Sequence, residues 1–277
     1  KILAHLGVPV RVWPRAPYNM IIKKIHFAID KTSTAKSFRT NFIKKHKSYS
    51  PHQSDVIVVL GGDGFMLQIL KKYQKYNIPF YGMNRGTFGF LMNKFKTKNI
   101  NKTISKAKLI TISPLEMKVT TRKNKIFLAY AINEVSLLRQ SRQTVSLKVM
   151  NGEKILIKKL VADGILVSTP AGSTAYNLSV HGPILSLNSK KIAVTPISPF
   201  RPRRWKGKVL SSTSQIKIKN LNTNKRPISV VADNFEVRNV KSVKIKENNS
   251  IKFKLLYDRH NSLTKKIKLE YLKKMWN

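Results

Sequence analysis

Twelve residues, Val56–Leu67 (VIVVLGGDGFML), restrict the architecture more than any other stretch of the chain. Val56–Leu60 is an unbroken β-branched and aliphatic run, and a strand without polar alternation is one buried on both faces, as in a parallel sheet. Gly61-Gly62-Asp63-Gly64 follows at once, with a helix expected from about Phe65. Open parallel sheets bind ligands at the carboxyl ends of their strands. Three glycines there permit backbone angles closed to other residues and let a bound group approach the main chain. The following helix aims free N–H groups at the same point. The stretch therefore reads as a phosphate cradle around one carboxylate, Asp63. It is not a Walker loop, because no Gly-Lys-Ser/Thr closes it, and Gly82, Gly86 and Gly89 lack the dinucleotide spacing.

Around this centre the hydrophobic period changes once. Ile21–Ile29 alternates as a strand, Asp30–Thr34 offers turn and cap residues, and Ala35, Phe38, Phe42 and His46 recur at helical spacing. The glycine-bounded strand, a helix carrying Met66, Leu70 and Tyr73, and the strand Phe80–Met83 complete β-α-β-α-β, the pattern of an open parallel sheet. From Glu116 short alternating segments replace helices: Met117–Thr121, Ile126–Leu138, Val145–Val149, Ile155–Ile157, Ile165–Ser168, Ile216–Ile218, Ile228–Val231, Val243–Ile245 and Ile251–Leu256. Asn151-Gly152 signals a hairpin between two of them. The expected fold is an N-terminal open parallel α/β domain over 20–113 and a C-terminal β-rich, sandwich-like domain over 114–256. Ser262 can cap a last helix within 257–277, whose Leu263, Ile267, Tyr271, Leu272 and Met275 would pack back on the α/β domain. Residues 1–19 read as an extension, with Met20 as the expected natural start.

The formal charge of +42 invites a nucleic-acid reading, yet lysine far outnumbers arginine and is spread over nearly every element. A dedicated nucleic-acid surface concentrates arginine and aromatics on one face. The charge therefore reads as a surface bias that aids solubility and steers anionic partners. With no cysteine, thiolate metal sites and thiol nucleophiles are excluded, and no apolar run is long enough to cross a bilayer. A cytoplasmic location is the expectation. Only twelve residues are acidic, so a carboxylate beside glycine or asparagine at the end of an apolar run needs a local reason. Asp63, Glu134, Asp163 and Asp233 are such residues.

Three further stretches carry polar chemistry. Gly82–Leu91 (GMNRGTFGFL) is a glycine-spaced loop from which Arg85 and Phe88 can approach a nucleotide, or whose phenylalanines can fill the core. Asn133-Glu134 sits at an expected strand end, where a carboxamide beside a carboxylate can bond sugar hydroxyls. Ala162–Ser179 (ADGILVSTPAGSTAYNLS) ends a strand in a hydroxyl-rich turn and an aromatic free to stack. Its small residues suit a close fit to adenosine better than nucleophilic catalysis. His181 could nominally join a Ser-His-Asp triad, but no serine lies in a G-x-S-x-G elbow. Thr195–Phe200 (TPISPF), followed by Arg201, Arg203 and Arg204, reads as a proline-broken basic loop.

Taken in order, GGDG at Gly61–Gly64, the Asn84–Leu91 loop, Asn133-Glu134, ADG with TPAGSTAY over Ala162–Tyr176, and TPISPF resemble the bacterial NAD kinases across most of Met20–Leu256. The resemblance implies transfer of the γ-phosphoryl group of ATP to the adenosine ribose 2′-hydroxyl of NAD, with Asp63 as proton acceptor. Gly61, Gly62 and Gly64 would hold phosphate oxygens, and Mg²⁺ would be bound mostly to ATP with no dedicated protein metal ligands. Asn133, Glu134, Asp163, Ser173, Thr174, Ala175, Tyr176, Asn177 and Ser179 are implied NAD contacts, with Ser198 nearer the nicotinamide. A homo-oligomer, dimer or tetramer, is implied as well, while the short apolar runs and the dispersed lysines already argue against membrane and nucleic-acid partners. Three departures stand out: Ala171 where the family pattern has threonine, His181 where it has glycine, and Asp233-Asn234-Phe235 where many relatives carry Asp-Gly-Gln. The competing readings are a lipid or sugar kinase sharing the GGDG loop, which leaves TPAGSTAY unexplained, and a nucleic-acid binder using the basic surface.

Overall fold

The computed structural model describes residues 21–31, 46–84, 89–96 and 98–258. The N-terminal extension, the helix expected after Thr34, Arg85, Phe88 and the C-terminal helix lie outside the described residues.

Strands β1 (Ile25–Ile29), β2 (Val56–Gly61) and β3 (Phe80–Asn84) pair in parallel, and helix α1 (Asp63–Tyr73) connects the last two. Val56–Leu60 is fully buried, as an unalternating run demands. Ile57 and Val59 pack with Met66, Ile69 and Leu70 of α1, whereas Val56, Val58 and Leu60 face Tyr81, Met83 and helix α2 (Ile100–Ser105). Strand β4 (Lys108–Ile112) closes the other side of this sheet, but it does not pair with β3.

The C-terminal region forms two six-stranded antiparallel sheets that share one core. The first carries β7 (Glu134–Arg139), β10 (Gly164–Ser168), β11 (Lys191–Ile197), β12 (Lys208–Ser211), β14 (Ile228–Ala232) and β15 (Phe235–Val237). The second carries β5 (Leu115–Thr121), β6 (Ile126–Ala131), β8 (Val145–Asn151), β9 (Lys154–Ala162), β13 (Ile216–Asn220) and β16 (Val240–Glu247). The hairpin between β8 and β9 turns through Gly152-Glu153, one residue later than the Asn-Gly signal suggested, with only Gly152 left-handed (φ 56°).

Three expectations are corrected. Ile251–Leu256 does not belong to the β-rich region: β17 (Phe253–Tyr257) inserts between β3 and β4, parallel to one and antiparallel to the other. Leu255 and Tyr257 pack on one face of that sheet and Leu256 on the other, the two-sided burial of an inner strand. Ile126–Leu138 is not one strand, because the chain leaves the second sheet after β6 and enters the first at β7, breaking at Ile132-Asn133. Thr195-Pro196-Ile197 is strand, not loop: Pro196 pairs with Ile165 of β10 but lies beyond the end of β12, where its missing N–H has no ladder to break.

Candidate active site

Asp63 is the first residue of α1, with Gly62 as its N-cap and Met66 N–H closing the first helical bond on Gly62 O at 3.0 Å. The amides of Gly64 and Phe65 have no intrahelical acceptor at this end. None of Gly61, Gly62 and Gly64 adopts a left-handed backbone, so the expectation of special backbone angles is corrected: what they supply is room. A Cβ on Gly62 or Gly64 would meet open space, whereas one on Gly61 would strike Phe65 at 2.8 Å. A ligand can thus reach the main chain from the side where side chains are missing.

The Asp63 carboxylate accepts N–H bonds from Phe90 (2.7 Å) and Leu91 (3.0 Å), which fix its orientation. The segment donating these bonds is itself anchored. Buried Asn93 takes and gives main-chain bonds to Asn84 and Gly82, while its side chain bridges Leu256 O and Asp258 N–H. Tyr257 on β17 stands close by: burial and then the Asp63 charge push its phenol above the ordinary range.

The second half of the site is the break between β6 and β7. Ile132 lies in the apolar core of the α/β region with Met66, Leu70 and Phe253, so this turn is docked on the first sheet's helix layer. Asp233 accepts N–H bonds from Ile132 (2.8 Å) and Asn133 (2.9 Å). From the opposite side Thr169 donates its hydroxyl to Ile132 O (2.7 Å) and its N–H to Asn133 O (2.9 Å). Gly172 closes against the same turn, and a Cβ there would sit 2.2 Å from Asn133 O. With the backbone pinned on both sides, Asn133 Oδ1 and Glu134 Oε2 are left buried with no hydrogen-bond partner. Such a cost is characteristic of a polar site shaped for a ligand. Burial first, and then the neighbouring Asp233 charge, push the Glu134 carboxyl up to about 7.

The hydroxyl-rich loop divides into two kinds of residue. Ser173 is fully buried and joins Pro170 O (2.7 Å) to the main chain of Leu185. Asn177, equally buried, donates to Ser173 O and Pro183 O and accepts the Thr195 hydroxyl at 2.7 Å. Thr174 is buried with its hydroxyl toward Ala171 O. Ala175 and Tyr176 are half-buried, and Ser179 at the end of helix α3 (Tyr176–Ser179) is exposed. The Tyr176 phenol is pushed above its ordinary range by burial, then by the charges of Asp163 and Glu134.

Asp163 begins the far end of β10: its N–H bonds Ile197 O, its carboxylate pairs with Arg139 Nε at 2.6 Å, and exposed Ser198 follows with φ 46°. Glu134 is opposite Ser168 at the other end of the same strand. Five strand residues separate the two ends, about 17 Å at the usual rise. The structure thus sets the Asn133-Glu134 turn against the helix that begins with Asp63, and it leaves Asp163 and Ser198 at the opposite end of β10. Among the described residues no three His, Asp or Glu side chains gather to hold a metal ion. No helix among them is long and apolar enough to cross a membrane. Sequence reasoning missed Lys71, Thr169 and Gly172. It singled out Asp233 through the scarcity of acids and through the Asp-Gly-Gln pattern of the family, without a role for it.

The description of the ATP-NAD kinase N-terminal domain matches residues 15–108, and that of the ATP-NAD kinase C-terminal domain matches residues 132–251. The NAD kinase of Brucella suis biovar 1 is 43% identical over 246 residues, 89% of this chain and 96% of the relative. That of Rhizobium meliloti is 47% identical over 222 residues, 80% and 86% of the two chains. Among solved structures, yeast NADH kinase complexed with NADH superposes with a TM-score of 0.77 at 21% identity, covering 93% of this chain and 90% of that one. An NAD kinase from Archaeoglobus fulgidus in complex with ATP gives 0.69 at 22%, covering 89% and 99%.

Proposed function

The chain belongs to the NAD kinase family, a family of kinases acting on an alcohol group, and from that premise we propose that it converts NAD and ATP into NADP and ADP with Asp63 as the proton acceptor. The 2′-hydroxyl oxygen of the adenosine ribose attacks the γ-phosphorus of ATP. Its proton passes to a carboxylate oxygen of Asp63, and the bond from the γ-phosphorus to the bridging oxygen breaks to release ADP. The observation that carries this reading is the pair of buried, partnerless oxygens, Asn133 Oδ1 and Glu134 Oε2, docked beside the helix that begins with Asp63. A ribose hydroxyl can donate to Glu134, and a base or ribose donor can satisfy Asn133.

The open faces of Gly62 and Gly64 leave the start of α1 accessible to the phosphates, where amide groups and the helix dipole favour negative charge. Asp63 is the carboxylate of that cradle, a donor set that fits Mg²⁺ carried in by the phosphates and ligated mainly by them. When bound there, Mg²⁺ neutralises charge on the transferring group. Tyr176 offers a ring against the nucleoside, and Asp163 with Ser198 receives the nicotinamide end. Ser173 and Asn177, whose polar atoms are engaged within the chain, shape the loop from beneath instead of touching the ligand.

The test is NADP formation by the purified protein given NAD, ATP and Mg²⁺. Asp63→Asn is expected to lower kcat by at least about 100-fold, the usual scale for a general base, while NAD still binds. A wild-type protein that phosphorylated a lipid or sugar and formed no NADP would overturn the reading.

A further inference from the structure

One acid with a buried side chain, Asp233, takes no part in the proposed phosphoryl transfer. The Asp233 side chain is 6% exposed, yet its carboxylate meets three donors: the N–H groups of Ile132 and Asn133, and Lys71 Nζ at 2.8 Å. Asp233 also gives its own N–H to Glu134 O at 3.3 Å, and Lys71 reaches Asn234 Oδ1 at 3.5 Å. Lys71 lies in the last turn of α1, the helix whose first residue is Asp63, about 12 Å away along the axis. The backbone of Asp233 is left-handed at φ 52°, a conformation that a residue other than glycine holds at a cost. A buried charge in a strained turn, meeting two amides and a cation, is more than hairpin closure needs.

We propose that Lys71 and Asp233 form a positioning strap that fixes the distance and angle between the helix carrying Asp63 and the turn presenting Asn133 and Glu134. The strap connects three pieces of chain far apart in sequence: the end of α1, the β14–β15 turn and the β6–β7 break. Without Lys71 the buried Asp233 carboxylate loses its cation and draws toward solvent, taking with it the two amides that it holds. The ribose-binding side chains then move relative to the acid while both halves of the site stay folded on their own cores. Misplacement by about 1 Å is enough to slow a positioned reaction by about 100-fold. An interdomain ion pair that only stabilised the fold would lower the melting temperature and leave the kinetic constants of the folded protein unchanged.

The inference rests on the proposed NAD phosphorylation, so the experiment reads binding as well as turnover. Wild type, Lys71→Met, Lys71→Arg, Asp233→Asn and the Lys71→Met/Asp233→Asn double variant are compared well below their melting temperatures, verified by circular dichroism. Lys71→Met is expected to raise KM for NAD and lower kcat by about 10-fold each, with KM for ATP little changed. Lys71→Arg, which keeps the cation, should recover to within about 3-fold of wild type. The double variant should be no worse than Asp233→Asn alone, because both changes cut one strap. Unchanged kinetic constants in Lys71→Met, or losses that multiply in the double variant, would overturn the strap while wild-type NADP formation upheld the reaction. If the wild type formed no NADP, the reaction would fall, and calorimetric NAD binding would decide the strap: about 10-fold weaker binding in Lys71→Met supports it and equal binding refutes it.

Discussion

At pH 8 the ligand-free protein should gain stability when Glu134 is replaced by glutamine, although the substitution removes a residue proposed to bind substrate. Burial and the adjacent Asp233 raise the Glu134 carboxyl from 4.5 to about 7 in the folded chain. Below pH 4.5 both folded and unfolded chains keep the proton, and the carboxyl costs nothing. Between 4.5 and 7 the unfolded chain releases its proton first, so the folded state binds more protons and stability falls as pH rises. Above 7 both forms are ionised and the penalty is constant. The window of 7 − 4.5 = 2.5 units, at about 1.36 kcal/mol each, gives a penalty of about 3 kcal/mol. Glutamine cannot ionise, so Glu134→Gln should avoid this loss, less what its amide forfeits by lacking a partner in the same pocket. A net gain of about 1–3 kcal/mol at pH 8 and little change at pH 4.5 is expected. Urea denaturation of both proteins without nucleotide at pH 4.5, 6, 7 and 8, followed by circular dichroism, measures it. A stability difference that did not grow with pH would refute the assignment of Glu134 as a buried, unpaired acid held for a ligand.

Two further outcomes test the supports of the site. Gly172→Ala puts a Cβ 2.2 Å from Asn133 O, against backbone and not against a yielding side chain. The variant should lose about 1–3 kcal/mol in thermal denaturation and show a raised KM for NAD; normal values for both would mean that the close approach is not required. His181 is exposed and left-handed at φ 61°, so His181→Gly should raise stability by up to about 1 kcal/mol with turnover unchanged, and a lowered melting temperature would argue against strain there.

Much of the first sheet was legible because its signal is local. Val56–Leu60 announces burial on two faces, and the glycines that follow mark the turn into α1. What alternation cannot reveal is which strand a segment will join. Phe253–Tyr257 and Ile126–Leu138 both look like ordinary one-sided strands, yet the first is an inner strand of the α/β sheet and the second divides between two sheets. Pairing partners are set by contacts across the whole chain, so a period of two fixes a face and leaves the neighbour open. The same limit applied to the site. Asn133 and Glu134 were visible as a polar pair at a strand end, but Asp233 acts through backbone amides about a hundred positions earlier. Amides have no sequence signature.

Two of the three departures from the family pattern, Ala171 and Asp233-Asn234-Phe235, fall where the local physics tolerates them. Ala171 has lost a hydroxyl, but it is 3% exposed in an apolar cluster with Ile132, Met66 and Phe253, where a methyl group packs without needing a partner. In Asp233-Asn234-Phe235 the left-handed position belongs to Asp233; Asn234 has an ordinary negative φ and no need of glycine. Aspartate is among the residues that enter that region most readily, and here its carboxylate draws two amides and a lysine. Replacing the glycine that follows therefore leaves the strap intact, whereas replacing the aspartate would release the turn that presents Asn133 and Glu134. On these grounds the substituted motif retains the part of the Asp-Gly-Gln pattern on which the geometry depends.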